Sequence, residues 1–164
     1  MEKRHVTHTF SAVIDSDCKI LILGSVPSVN SMREQFYYAH KQNRFWKVLS
    51  AILNIDLTTK SKEEKSSILL QNHIALYDSV YECDIVGSSD NKIENIVHTD
   101  IKKLIANTQI THIFANGQKA FDELIKGNPW TSEISTKLPS TSPANAQFSL
   151  EKLLSSWTAI KEYI

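Results

Sequence analysis

Apolar positions along the chain follow two periods. Residues 18–23 are a continuous β-favouring run that ends at Gly24, the pattern of a strand buried on both faces of a sheet. A turn-rich SVPSVNSM follows, and then residues 43–53 place Phe45, Trp46, Leu49, Ile52 and Leu53 at helical spacing, so residues 24–43 read as a loop between a strand and a helix. Ser61, with Glu64 three residues on, forms a capping-box pattern that opens a helix ending near Asn72. HIALYD is a second short apolar strand. The stretch SVYECDIVGSSDNKIEN is polar, with turn chemistry around Asp90, and reads as loop throughout. Thr99 is placed to cap a helix through Ala106, THIFAN is a third strand, and Gly117 opens a helix to about Lys126. EISTKL is a fourth strand, and residues 149–163 form an amphipathic helix.

Short strands alternating with helices imply an α/β fold, a three-layer α/β/α sandwich around a parallel sheet of roughly four strands. At 164 residues the expectation is one domain over residues 1–164, able to bury its core without staples. In such a sheet the ligand crevice lies beyond the carboxyl ends of the strands. That rule selects the loops at 24–43, 78–95, 116–118 and 139–146.

Charge changes the picture only locally. Lys and Arg total 18 and Asp and Glu total 18, so no global field favours a polyanion. Between residues 33 and 47, however, Arg33, Lys41, Arg44 and Lys47 stand against Glu34 alone, either a solvated helix face or a patch for phosphates. Cys18 and Cys83 are the only cysteines, too few for a disulfide framework or an iron–sulfur cluster, and they read as inert small hydrophobes in a reducing compartment. The start MEKRHVTHTF lacks the apolar stretch of a signal peptide and no segment approaches a membrane span, so a cytoplasmic protein without a metal is expected.

Two constellations carry candidate chemistry. On the first loop, Gly24 lets backbone approach a ligand and Pro27 stiffens the turn, with Ser25, Tyr37, Tyr38, His40 and Asn43 following. Taken singly, these residues read equally as aromatics folded back onto the surface. The second is residues 138–145, where Ser140, Ser142 and Asn145 lie in a stiff Ser/Pro loop whose hydroxyls and amides suit phosphates. Asp78 and Asn116 end strands at the same edge. Asp78 can position water or fix its loop, and Asn116 can reach the pocket or simply start a helix. Trp46, Trp130 and Trp157 read as packing residues.

LILGSVPS, YYAHKQNRFW and LPSTSPANA occur in that order. Together with IALYDSVYECDIVGSSDNKIEN and IFANGQKA they resemble the hypoxanthine-DNA glycosylases, family 6 of the uracil-DNA glycosylase superfamily, over nearly the whole chain. Lys41 stands where the family has proline and Tyr77 where it has tryptophan. The resemblance implies a base pocket at the first loop and removal of a deaminated base, favouring hypoxanthine, without metal or organic cofactor. It assigns catalysis to Asn43, with Ser25 a second candidate, at a position where sister families place a polar catalytic side chain.

Glycosidic cleavage develops positive charge on the sugar and negative charge on the leaving base. Asn43 can orient a water, and it can also cap the helix that follows it. Backbone amides at Gly24-Ser25 are donors for a base carbonyl. Tyr38, ahead of Tyr37, is the candidate to stack on an extruded base. Gly24, Pro27, Tyr38, His40, Asp78 and Asn116 are expected at the base pocket, His40 alternatively in a structural hydrogen bond. Lys41, Arg44, Ser140, Ser142 and Asn145 are expected at DNA. Lys41 is also the one lysine in the motif that could act as a lyase nucleophile. Uracil as substrate, or a silent DNA-binding module on the same fold, are the alternatives. No GxGxxG or GxxxxGK[ST] supports a phosphate-cradling enzyme. The expected partners are DNA containing a deaminated base and downstream repair enzymes, with the protein a monomer.

Overall fold

The computed structural model describes residues 2–87 and 92–164; Asp90 lies outside them. Strand β1 (Lys3–Thr7) precedes β2 (Ile20–Gly24), the apolar run, all five of whose residues are buried. Helices α1 (Val29–Glu34), α2 (Phe45–Leu53) and α3 (Lys62–Gln71) lead to β3 (Ile74–Asp78). Then come β4 (Val80–Val86), β5 (Ile93–His98), α4 (Ile101–Ile105), β6 (His112–Asn116) and α5 (Gln118–Gly127). A 3₁₀ turn (Pro129–Ile134), β7 (Ser135–Leu138), α6 (Leu150–Trp157) and a second 3₁₀ turn (Thr158–Glu162) complete the described chain.

The main sheet is parallel, in the order β3-β2-β6-β7. Its two faces separate by alternate residues. Ile20, Ile22, Ile74, Leu76 and Phe114 pack with Phe45, Leu49, Leu69, Leu153 and Trp157 of α2, α3 and α6. Leu21, Leu23, Ala75 and Ile113 pack on the other side with Ile101 of α4 and Leu124 of α5. This is the three-layer α/β arrangement, and each fully buried Leu or Ile contributes about 1.5–3 kcal/mol of apolar burial. The chain runs from β2 to one neighbour, β3, and later returns on the other side as β6. The switch point of the sheet therefore lies at the end of β2, where Gly24 sits.

Four expectations differ from the structure; one is Trp130, read as a packing residue but 49% exposed. The polar stretch after Asp78, read as loop, holds β4 and β5, which join β1 in an antiparallel sheet of order β1-β4-β5. Register shifts between Val80, Glu82 and Asp84 break the period-two alternation that would have marked β4. No residue of β5 is fully buried, so it too lacks an apolar signature. The cap of α4 is Asp100, whose side chain accepts from the Lys103 amide; Thr99 is buried instead, its hydroxyl donating to the Asp78 carbonyl at 2.6 Å. Within the first loop, residues 29–34 wind into α1, capped by Ser28. The capping box at Ser61 and Glu64 forms as expected.

Cys18 and Cys83 are both buried. Burial pushes the Cys18 thiol up to about 11, which keeps it protonated at neutral pH. Among the described residues no helix is long and apolar enough to cross a membrane.

The second sheet carries an exposed, titrating pair. His5 Nδ1 lies 2.7 Å from Asp84 Oδ1 across the β1–β4 register. The bond to Asp84 raises the His5 imidazole above its ordinary value. Bonds from Asn95 and then His5 hold Asp84 below the usual carboxylate range. A raised histidine stabilises fully below its unfolded value and loses this as pH rises through the folded one; a lowered aspartate stabilises above its unfolded value and loses this as pH falls through the folded one. The pair therefore contributes most between about pH 4 and 6.5. The gap in melting temperature between wild type and His5→Ala is expected to be wider near about pH 5.5 than near about pH 8.5, and modest because the pair is exposed. A gap that does not change with pH would remove the pair from the stability of this sheet.

Candidate active site

Beyond the carboxyl ends of β2, β3, β6 and β7 the loops enclose a cavity of ≈ 970 Å³. Of the residues expected there, Ser25, Pro27, Tyr38, His40, Asn43, Asp78, Asn116, Ser140, Ser142 and Asn145 line it. Gly24 lies against its wall, since a Cβ placed on it would meet Asp78 Oδ1 at 2.5 Å and the Tyr38 hydroxyl at 3.2 Å. Lys41 is exposed and does not line the cavity, because it stands on the outside of the turn at 40–43. The lysines that do line it are Lys119 and Lys137.

Asn43 is held by the start of α2 and by a distant loop. Its Oδ1 accepts from the Phe45 amide at 2.9 Å and from the Thr141 hydroxyl at 2.8 Å. A backbone amide only donates, so this oxygen assignment is fixed by the partner and Nδ2 is the free end. The formal cap of α2 is Arg44; Asn43 sits one residue earlier and satisfies the first orphan amide of the helix. Both lone pairs of Oδ1 are used, so Asn43 offers the cavity two N–H donors, and among the described residues these have no hydrogen-bond partner.

Thr141, fully buried, is the clamp. Its hydroxyl accepts from Asn116 Nδ2 at 3.0 Å while donating to Asn43, and its amide donates to Asn116 Oδ1 at 3.0 Å. Three strand-exit loops are thus joined through one side chain. Thr141→Val keeps the shape, strips the hydroxyl and leaves Asn116 Nδ2 without an acceptor. Its expected cost is about 1–3 kcal/mol of stability and roughly tenfold or more in any rate that depends on Asn43, with Thr141→Ser retaining both. Unfolding curves and turnover of the two variants side by side test this, and equal behaviour would remove the clamp.

Arg44 was expected at DNA. Its guanidinium instead donates to the carbonyls of Ser142 at 3.1 Å, Asn145 at 3.0 Å and Phe148, pinning the last loop to α2. The loop is further stiffened from within: Ser140 Oγ accepts from the Ser142 amide, Ser142 Oγ from the Ala144 amide, and Asn145 Nδ2 donates to the Ser140 carbonyl. Gly117, at φ 97°, allows this loop to close on β6, where a Cβ would meet Ser140 at 3.0 Å.

Of the two tyrosines, Tyr37 is a core residue, its hydroxyl donating to the Ser11 carbonyl. Tyr38 adopts φ 53°, an uncommon position for a bulky residue, stacked on Phe45 at 4.0 Å between ring centroids. Its hydroxyl is buried with no hydrogen bond among the described residues, and Asn116 approaches without reaching hydrogen-bonding geometry. Burial, and then the charge of Asp78, push this phenol well above its usual range, opposed in part by Asn116. His40 Nδ1 accepts from the Gln42 amide at 3.1 Å, so in the neutral ring the proton sits on Nε2.

Asp78, 5% exposed, ends β3 opposite Gly24. Its Oδ2 lies 2.8 Å from Nε2 of His8. Sequence reasoning passed over His8 and Thr141. A signal for His8 existed: Val6, His8 and Phe10 are buried in alternation with residues 5, 7 and 9, a period-two pattern that places the imidazole inward. Phe10 and Phe148, also unforeseen, line the cavity. Among the described residues no group of three or more His, Cys, Asp or Glu side chains is placed to hold a metal.

Comparison with known proteins brings this geometry into a family context. The family model of the uracil DNA glycosylase superfamily matches residues 11–161. The hypoxanthine DNA glycosylase of Methanosarcina acetivorans is 34% identical over 156 residues, 92% of this chain and 95% of that protein. That of Methanosarcina barkeri is 33% identical over 152 residues, 90% of this chain and 93% of the relative. A solution NMR structure of a provisionally named uracil DNA glycosylase from Methanosarcina acetivorans superposes with a TM-score of 0.75 at 32% identity, covering 93% of this chain and 96% of its own.

Proposed function

This chain belongs to the uracil DNA glycosylase superfamily, and from that premise we propose that it is a DNA glycosylase hydrolysing the N-glycosidic bond of deoxyinosine in DNA. The observation that carries the reading is the pairing, in one cavity at the sheet's switch point, of the Asn43 N–H donors with a buried Asp78 carboxylate. Both full-length curated relatives are hypoxanthine DNA glycosylases, which favours the purine.

The target nucleotide leaves the stack and its base enters the cavity. The C1′–N9 bond breaks with its electron pair going to the base, and a water oxygen bonds to C1′, losing its proton to the departing base or to solvent. No carboxylate other than Asp78 lines the cavity among the described residues. Rate therefore comes chiefly from stabilising the leaving group and the developing charge. Asn43 contributes as a donor, because its carbonyl is already saturated, and the Gly24-Ser25 backbone supplies further donors. The expected role of Asn43 was to orient a water; with Oδ1 occupied, it acts on water or on negative charge only through its Nδ2 donors. Asp78 accepts from the ring N–H of the base, Ser25 and His40 border the site, and Tyr38 offers a ring face. Ser140, Ser142 and Asn145 meet the backbone on a loop braced by Arg44, with Lys41 at the outer phosphates. The protein acts as a cytoplasmic monomer and leaves an abasic site for downstream repair.

The test is alkali-induced strand cleavage of end-labelled duplexes carrying one deoxyinosine, one deoxyuridine or neither. Cleavage at inosine is expected. Uracil presents the same N–H beside a carbonyl, so cleavage at uridine alone would move the substrate to uracil. No cleavage by folded, DNA-binding protein would leave a silent module.

A further inference from the structure

We propose that His8 sets the base selectivity of this site by keeping one oxygen of Asp78 an obligate hydrogen-bond acceptor; the proposal rests on the reading of the cavity as a base pocket. The His8 side chain is wholly buried, its ring packed between Phe10 at 4.3 Å and Tyr77 at 4.2 Å. Its Nδ1 lies 3.0 Å from the Phe10 carbonyl. A carbonyl has no proton to give, so Nδ1 carries one. Nε2 lies 2.8 Å from Asp78 Oδ2, a contact that needs a proton between the two atoms. Whichever atom holds that proton, it lies between Nε2 and Oδ2 and not on Oδ1. Asp78 Oδ1 is left with lone pairs only. Among the described residues Oδ1 accepts no hydrogen bond, and it lies against Gly24 where the side chain borders the cavity.

An oxygen that can only accept distinguishes a deaminated base from its parent. Adenine N1 is an acceptor, and deamination to hypoxanthine makes it an N–H donor; cytosine N3 and uracil N3–H are related in the same way. Oδ1 bonds the deaminated edge and sets lone pair against lone pair on the parent edge. Without His8 nothing confines a carboxyl proton to the Oδ2 side, and an O–H at Oδ1 would donate to the parent base. Guanine and thymine carry the same N–H and must be refused by shape.

Two substitutions separate the two hydrogen bonds of the ring. His8→Gln puts an amide donor near the position of Nε2 and gives up the bond to Phe10. His8→Asn puts a donor near Nδ1 and gives up the bond to Asp78. Each is assayed on duplexes containing one deoxyinosine or one 2′-deoxynebularine, whose purine N1 is an acceptor. The ratio of inosine to nebularine excision is expected to stay within about threefold of wild type in His8→Gln and to fall by roughly 10- to 100-fold in His8→Asn. Equal ratios in both variants, whatever the absolute rates, would overturn the assignment and leave His8 a packing residue. If His8→Asn does not fold, wild type alone decides: inosine must be preferred to nebularine by roughly 100-fold or more, and near-equal rates overturn the proposal. Absence of inosine cleavage by wild type would instead sink the glycosylase reading itself, and this proposal with it.

Discussion

Asn43→Ala is expected to lower the rate of deoxyinosine excision by roughly 10²- to 10³-fold, the usual consequence of deleting one preorganised donor at a site of developing charge. The reason is specific to this geometry. The Oδ1 lone pairs are consumed by the Phe45 amide and the Thr141 hydroxyl, so what the substrate loses is the Nδ2 donor pair. Some stability goes with it, about 1–3 kcal/mol, because two buried donors lose their acceptor. Melting temperature must therefore be followed alongside single-turnover rates. Asn43→Asp makes the test sharper. It preserves an acceptor for Phe45 and Thr141 but replaces the donor with a second acceptor oxygen. A donor role predicts that Asn43→Asp is as slow as Asn43→Ala. Activity retained or increased in Asn43→Asp would mean that an acceptor at this position serves the reaction, and would overturn the donor role.

Gly24→Ala is expected to be nearly as damaging, by about 10²-fold or more in kcat/KM, for a steric reason. The new Cβ would stand 2.5 Å from Asp78 Oδ1 and 3.2 Å from the Tyr38 hydroxyl. Neither neighbour gives way easily. Asp78 is tied through Oδ2 to His8 and through its backbone to the β2 register, and Tyr38 is stacked on Phe45. The carboxylate must rotate out of its place or β2 must part from β3, and overpacking of this kind also costs roughly 1–3 kcal/mol. Excision kinetics at substrate concentrations below KM, with thermal unfolding as control, check the prediction. A Gly24→Ala protein with wild-type kcat/KM would show that Asp78 need not stay where it is.

Most of the site's location was legible before any coordinates. The β2 run, the capping box at Ser61 and the helical spacing of Phe45, Trp46 and Leu49 each depend on residues within a few positions of one another, so local periodicity and capping chemistry encode them directly. Once strands and helices alternate, the crevice follows from sheet geometry, and with it the residues at the strand ends. Ten of the expected positions line the cavity for this reason. The short second sheet was not legible, because register shifts erase the alternation in β4 and β5 has no fully buried face. Such strands exist through their partners, and their partners lie far away along the chain.

The division between sequence and tertiary structure is sharpest for the polar side chains. Sequence by itself determined the strands of the main sheet, the helices that cover it, their order along the chain and the sheet edge where the candidate site lies, since burial periodicity is a short-range code. Which polar atom meets which was decided only in three dimensions. His8 reaches Asp78 across 70 positions, Thr141 reaches Asn43 across 98, and Arg44, expected at DNA, donates to the carbonyls of the last loop. A buried donor or acceptor must find a partner or cost about 1–3 kcal/mol, but any of several chemically equivalent partners would satisfy it. The packing of the layers, fixed by the apolar residues, chooses among them, and that choice decides whether an asparagine in this cavity donates or accepts.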